Sequence, residues 1–275
     1  MRPKTRLANL ATHAVLLVAG LFAAFPLFWV GLTSLKNNRD ATASARNAFN
    51  FEATLQNYTT LFQTPSFLSA AVTSLVITAL ATLIVVVIAT LGGYAFARVK
   101  FHGRKTLASV MVVVQIIPGI VLVIPLFRIV SGMGMYDQWL PLILILSGLS
   151  IPFATWLMLA FFKSSPLEIE EAALVDGVSR VQLFQYVLIP MVAPGMATAA
   201  IFTAIGVWNS FLFPLVLGQT RSQTLTVYAA QFITFQEVNW GPLCAAAVLI
   251  LAPIVLFALS MQKPLVKGLT VGSVK

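Results

Sequence analysis

Long apolar runs alternate with short polar breaks along this chain, at residues 11–33, 67–97, 106–130, 139–162, 193–217 and 240–261. A transmembrane helix needs about 20 consecutive apolar residues. The pattern therefore predicts an all-α, polytopic membrane protein with six transmembrane helices, forming one transmembrane domain over 1–275 with no soluble domain between spans. The second run is longer than a crossing requires, which predicts a tilt or a start outside the hydrocarbon layer. The basic start followed by 11–33 reads as an uncleaved first span, because its apolar part exceeds the roughly 7–15 residues of a signal peptide. Within the polar break, Phe51, Leu55, Tyr58, Leu61 and Phe62 are spaced as a short amphipathic helix would space them.

Composition agrees with the pattern: 59% of the 275 residues are hydrophobic and 9% charged, against about 25% charged in soluble domains. In a soluble protein a net charge of +9 would suggest a polyanion. In a bilayer protein it asks instead which side holds the cations, and no nucleic-acid partner is implied. With both termini cytoplasmic, twelve of the seventeen fall inside: Arg2, Lys4, Arg6, Arg98, Lys100, Arg104, Lys105, Lys163, Arg180, Lys263, Lys267 and Lys275. Lys36, Arg39, Arg46, Arg128 and Arg221 then lie on or near the other side. Arg98, Arg104 and Lys105 suit the anionic headgroups of membrane lipid. The lone Cys244 cannot form an internal disulfide and reads as a packing residue.

The chain's only acidic cluster interrupts this apolar sequence. Four of its eight carboxylates, Glu168, Glu170, Glu171 and Asp176, lie within nine residues between two apolar runs. Such a segment, 163–192, belongs in water and reads as a docking element. Ser165 with Glu168, and Ser179 with Gln182, match capping boxes, the first with Pro166 at the opening position of a helix. Gly177 falls between the two short helices so predicted, where a chain that ends one helix and starts another benefits from positive φ.

The order Glu171-Ala172-Ala173, three residues, Gly177, nine residues, then Val187-Leu188-Ile189-Pro190 resembles the Glu-Ala-Ala loop of permease subunits of binding-protein-dependent ABC importers. Val187 and Ile189 are its conservative departures from that pattern. Gly92 to Arg98, Gln115 to Pro118, Ile124 to Phe127, Ile151 to Phe153 with Trp156, Trp208-Asn209, and the tail from Gly268 extend the likeness over nearly the whole chain. It is closest to the carbohydrate-importer branch, the smaller maltose-permease subunit in particular. Ser210 stands where many members carry a carboxylate.

The resemblance implies that 163–192 is a cytoplasmic coupling helix-turn-helix seated in a cleft of an ABC ATPase. Glu171, Ala172, Ala173, Asp176, Gly177 and Pro190 would form the ATPase-coupling set, with Glu171 supplying charge at the seam and Ala172 and Ala173 permitting close approach; the tail from Gly268 would be a second contact. It also implies a second permease subunit as heterodimer partner, a cytoplasmic ATPase dimer, an extracytoplasmic solute-binding protein, and a bacterial inner membrane location. The cargo would be an oligosaccharide or disaccharide, with a non-sugar such as glycerol phosphate as the alternative. The external loops 36–66 and 218–239 carry polar side chains, among them Gln219 and Arg221, that suit a protein or polyol; a solvated connector is the other reading for both.

Prolines 118, 125 and 152 fall in expected spans, where they free carbonyls that bilayer helices tolerate beside neighbours or a water-filled path. Gln115, Trp208 and Asn209 are the candidates for lining that path, since a buried amide demands a partner; helix-to-helix contacts are the other reading. No carboxylate sits within a span, which argues against ion coupling. There is no phosphate-binding loop, no Gly-x-Ser-x-Gly turn and no His-Glu-x-x-His pair. With His13, His102 and one cysteine, no ordinary metal site can be assembled. No catalytic residue is expected: ATP and Mg would be held by the partner ATPase. An ATP-independent channel or scaffold subunit, its hairpin binding a cytoplasmic partner, is the rival from another class.

Overall fold

The structure is a computed structural model that describes residues 6–42 and 49–271, with side chains from 11 to 256 outside that break. Arg2, Lys4, Arg46 and Lys275, and the side chains of Arg6, Lys263 and Lys267, lie outside the described residues. The described chain is helical, with one isolated antiparallel bridge between Ile233 and Val238. In order the helices are α1 Arg6–Ser34, α2 Asn38–Ala41, α3 Gln56–Gln63, α4 Pro65–Arg98, α5 Arg104–Ile116, α6 Gly119–Gly132 and α7 Trp139–Ser164. They continue with α8 Leu167–Val175, α9 Arg180–Gln182, α10 Ile189–Trp208, α11 Leu212–Leu217, α12 Leu225–Ala230 and α13 Trp240–Val271. A π-helical turn, Leu183–Leu188, joins α9 to α10.

Among the described residues, four helical stretches are long and apolar enough to cross a membrane: Ala11–Ser34, Pro65–Arg98, Trp139–Ser164 and Arg180–Trp208. The expected third span, 106–130, is not one rod. α5 and α6 meet at a bend of 97°, and counting the pair as one span brings the total to five. Pro118 explains the break: it has no N–H to continue the α5 ladder, and it biases Ile117 away from helical ψ, which is observed at 118°. The expected fifth span, 193–217, also ends early, at Trp208, and α11 follows as a separate short helix. Trp240–Leu256 is a shorter apolar helix within α13.

Contacts divide the chain into two compact units, one of residues up to Leu68 with Tyr228–Ala252, the other of Ser69–Val227 with the chain from Pro253. In the first, the amphipathic segment expected around 51–62 forms as α3, with Leu61 buried. Its buried polar residue is Asn57, whose Nδ2 donates to the Ser34 and Lys36 carbonyls at 2.8 Å each. Lys36 is itself buried, its Nζ 4.7 Å from the Phe51 ring and 5.3 Å from that of Trp29, a cation–π cage.

Among the described residues, the second unit holds two packed apolar clusters. One gathers Ile77, Ala81, Val123, Leu142, Leu146 and Phe213 from α4, α6, α7 and α11. The other gathers Val85, Ala89, Met158, Phe162, Leu188 and Val192 from α4, α7, the π turn and α10. Outward faces are apolar too: Val15, Leu21 and Phe22 on α1 and Ile116, Ile120 and Ile124 on α5 and α6 are all exposed. Helices that are hydrophobic all round suit a lipid environment.

Candidate functional site

The acidic segment folds as a hairpin on the second apolar cluster. α8 ends at a turn in which Gly177 has φ of +84°. The Asp176 N–H donates to Ala172 O, that of Gly177 to Leu174 O, and that of Val178 to Ala173 O, closing the last carbonyls of α8. Nothing lies within 4 Å of where a Gly177 Cβ would stand, so the glycine is required by backbone conformation and not by space. Gly177→Val is therefore expected to destabilise the hairpin by about 1–2 kcal/mol through positive φ alone, read as faster amide exchange at 174–180, while Gly177→Asn stays close to wild type.

The chain re-enters helix through the capping box at Ser179. Its Oγ accepts from the Gln182 N–H, and Gln182 Oε1 accepts from the Ser179 N–H at 3.0 Å. The other expected box, Ser165 with Glu168, does not form. Ser165 Oγ donates back to Phe161 O at 3.0 Å and closes α7, while Pro166 takes the cap position of α8 without a side-chain bond. A residue before proline is held extended; here the Ser165 hydroxyl completes the preceding helix.

Along α8 the carboxylates divide by face. Glu168 and Glu171 are exposed with Ala172, while Ala173 turns inward against the second cluster. Glu170 is only 4% exposed. Its Oε1 accepts from Arg98 Nε at 2.7 Å, and Arg98 Nη2 donates to the Ser165 carbonyl at 2.9 Å. Arg98 is thus not free for lipid headgroups; it ties the end of α4 to both ends of the α7–α8 junction. Exposed apolar side chains share the hairpin with exposed Glu171, Asp176 and Gly177: Leu167, Ile169, Leu174, Val175 and Val181, Val175 by 87%, beside the exposed charges of Glu168 and Arg180.

Pro190 is exposed in the first turn of α10. Proline there has no N–H for an α-helical bond to Tyr186, and the chain passes the spot through the π turn, in which the Ile189 N–H reaches Phe184 O. Interruptions of this kind are frequent at functional sites.

The three candidates for the path do not converge. Trp208 is buried and lines a cleft of about 270 Å³ with Leu75, Thr78, Thr82, Ala204 and Pro253. Asn209 is exposed, and its Nδ2 donates to Ile205 O, capping α10. Gln115 is exposed near the α5–α6 bend. The hydroxyl of Thr82, buried without a hydrogen-bond partner among the described residues, was not legible in the sequence.

The family model described as "Binding-protein-dependent transport system inner membrane component" matches residues 88–271, a range that contains the hairpin, Arg98 and the cleft residues from Ala200 to Pro253. The chain belongs to this family. As a member it is a multi-pass membrane permease component of a binding-protein-dependent importer. Its relatives are transport subunits, not enzymes: the trehalose transport system permease protein SugB of Mycobacterium tuberculosis is 36% identical over 94% of this chain and 94% of that protein. The diacetylchitobiose uptake system permease protein DasC of Streptomyces coelicolor is 33% identical over 95% of each. The trehalose/maltose transport system permease protein MalG of Thermococcus litoralis is 30% identical over 95% of this chain and 96% of that one. A chain from a bacterial ABC transporter involved in import of the acidic polysaccharide alginate shares the fold, with TM-score 0.79 at 20% identity over 96% of this permease component and 99% of that chain.

Proposed function

We propose that this permease component pairs with a second permease subunit to form the path for an oligosaccharide or disaccharide, delivered by an extracytoplasmic solute-binding protein and driven by a cytoplasmic ABC ATPase dimer. The observation that carries the reading is the hairpin: Glu171 and Ala172 exposed among exposed apolar side chains, on a helix anchored through Glu170 and Arg98. Charged groups set among exposed apolar side chains make a surface suited to burial against another protein. Glu171, Ala172, Ala173, Asp176 and Gly177 carry the ATPase coupling, with Pro190 at the exit. ATP and Mg belong to the partner ATPase, whose closure displaces the hairpin and rocks the spans between two states.

Both termini are cytoplasmic in this reading, which the cation distribution supports. A carbohydrate cargo is supported by the trehalose, diacetylchitobiose and maltose systems among the relatives. Trp208 is the candidate path residue that its place in the cleft favours, because an aromatic face suits a sugar ring.

Glu171→Lys tests the coupling. When the solubilised complex is isolated from native membrane, the variant is expected to insert normally, to retain the second permease, and to lose the ATPase and all uptake. Normal ATPase recovery with the lysine variant would sink the coupling assignment, and recovery of no ATPase with the wild type would leave a channel or scaffold subunit.

A further inference from the structure

A second site, in the second unit and apart from the hairpin, holds a loop on a single carboxylate. Asp137 lies between α6 and α7 with φ of +57°, the one non-glycine residue at positive φ among those described. Its Oδ1 accepts from the N–H groups of Gln219 at 2.7 Å, Arg221 at 3.1 Å and Ser222 at 3.0 Å, and its Oδ2 from those of Thr220 and Arg221, both at 3.1 Å. The Ser222 and Thr220 hydroxyls add bonds at 3.0 and 3.3 Å, and the Asp137 N–H donates to Leu217 O. Four successive backbone N–H groups turned onto one anion form a nest, and here the anion is supplied by the chain itself.

The loop is fixed on its other side as well. Trp139 Nε1 donates to the Arg221 carbonyl at 2.9 Å, and Ser74 Oγ accepts from the Leu225 N–H at 2.8 Å. A Cβ on Gly218 would stand 2.8 Å from Ser222 O and 2.9 Å from Pro214 O. With its backbone turned inward, the loop leaves the side chains of Gln219, Thr220 and Arg221 exposed while Ser222 is fully buried. Burial alone would raise the Asp137 carboxyl, but the backbone N–H groups of Gln219, Arg221, Ser222 and Thr220 outweigh it and hold the group well below the usual carboxylate range.

We propose that Asp137 is a positioning residue that holds 218–222 in the conformation presenting Gln219, Thr220 and Arg221 to an acidic or polar face of the solute-binding protein. This rests on the importer reading above, with the loop on the extracytoplasmic side. A flexible loop would lose conformational freedom on docking; a loop already clamped does not, and so docks more tightly. Asp137→Asn keeps the shape, but it replaces one acceptor oxygen by an N–H₂ aimed at donors.

Two measurements on the assembled complex test the proposal. The first is amide exchange at 219–222, expected to be about tenfold or more faster in Asp137→Asn, as the loss of charge-assisted bonds requires. In the wild type, protection corrected for intrinsic rates is expected to stay constant from pH 7 down to about 4, because a carboxylate held low keeps its clamp until the pH falls through its lowered value. The second is ATP hydrolysis by the complex in lipid nanodiscs, titrated with the solute-binding protein recovered by cross-linking to the wild-type complex. The half-saturating concentration is expected to rise about fivefold or more with the maximal rate unchanged. Trp139→Phe, which removes one donor to the loop, gives a smaller shift in the same direction and serves if the asparagine variant fails to assemble. Unchanged exchange in the variants overturns the clamp. Faster exchange with unchanged half-saturation, or a fall in maximal rate alone, overturns its role in docking. Absence of any stimulation in the wild type counts against the importer reading, while the exchange result still judges the clamp.

Discussion

Gly93→Ala is expected to destabilise the folded permease strongly, seen as a lower melting temperature and a reduced monodisperse peak when the detergent-solubilised protein is run by size exclusion. A Cβ at this position of α4 would lie 2.5 Å from Met158 Cβ and 2.9 Å from both the Met158 carbonyl carbon and the Leu159 nitrogen on α7. Those are backbone atoms and a backbone-fixed Cβ, so no rotamer change relieves the contact, and the two helices must separate. Overpacking typically costs about 1–3 kcal/mol, occasionally more; with no side chain able to yield, this case belongs at the upper end. Between helices in lipid, close van der Waals approach through small residues is a main source of cohesion. The neighbouring Gly92 is a milder case, since its Cβ would meet only the Thr155 side chain, Cγ2 at 3.2 Å and Oγ1 at 3.6 Å. Gly148→Ala is the control, with nothing within 4 Å of its Cβ. Rescue of Gly93→Ala by Met158→Ala would show that the Met158 side chain, and not helix approach, sets the limit.

Glu170→Ala is expected to be at least as damaging and to act through a different force. It leaves the Arg98 guanidinium, 15% exposed at the side chain, with the Ser165 carbonyl but without its carboxylate. Removing one member of a buried pair costs about 3–5 kcal/mol, because the remaining charge is stranded. The expected result is a lower thermal stability together with loss of the ATPase from the isolated complex. Replacing both partners by apolar residues, as in Arg98→Met with Glu170→Leu, is expected to restore stability, since desolvation offsets most of what the pair contributes. If coupling stays lost in that double variant, the pair serves as the strut between α4 and the hairpin. Wild-type stability of Glu170→Ala would overturn the account.

Glu170 and its neighbour Glu171 show how far reading residues in order can go. Both belong to one acidic cluster, and the motif singles out Glu171; nothing local distinguishes the one that turns inward, because its partner, Arg98, lies 72 positions earlier. The same holds for Asp137 and the loop 82 to 85 positions later. By contrast, the Gly177 turn and the Ser179–Gln182 cap were legible, because their partners sit within a few residues and their chemistry is local. Ser165 and Glu168 carried the same signal and gave no box, since the hydroxyl had a second acceptor one turn back, in α7.

Hydrophobic patterning and the spacing around Gly177 and Ser179 therefore determined from sequence alone that the chain is helical and membrane-spanning and that its acidic segment folds as a capped hairpin: each depends on composition or on neighbours within a helical turn or two. Only the tertiary structure decided that α5 and α6 break at 97°, that Trp208 enters the cleft while Gln115 and Asn209 stay exposed, and that Arg98 and Asp137 are committed to distant segments. Those outcomes depend on which helices pack and on which buried polar groups find one another, a choice made by three-dimensional packing and desolvation and not written in any local pattern.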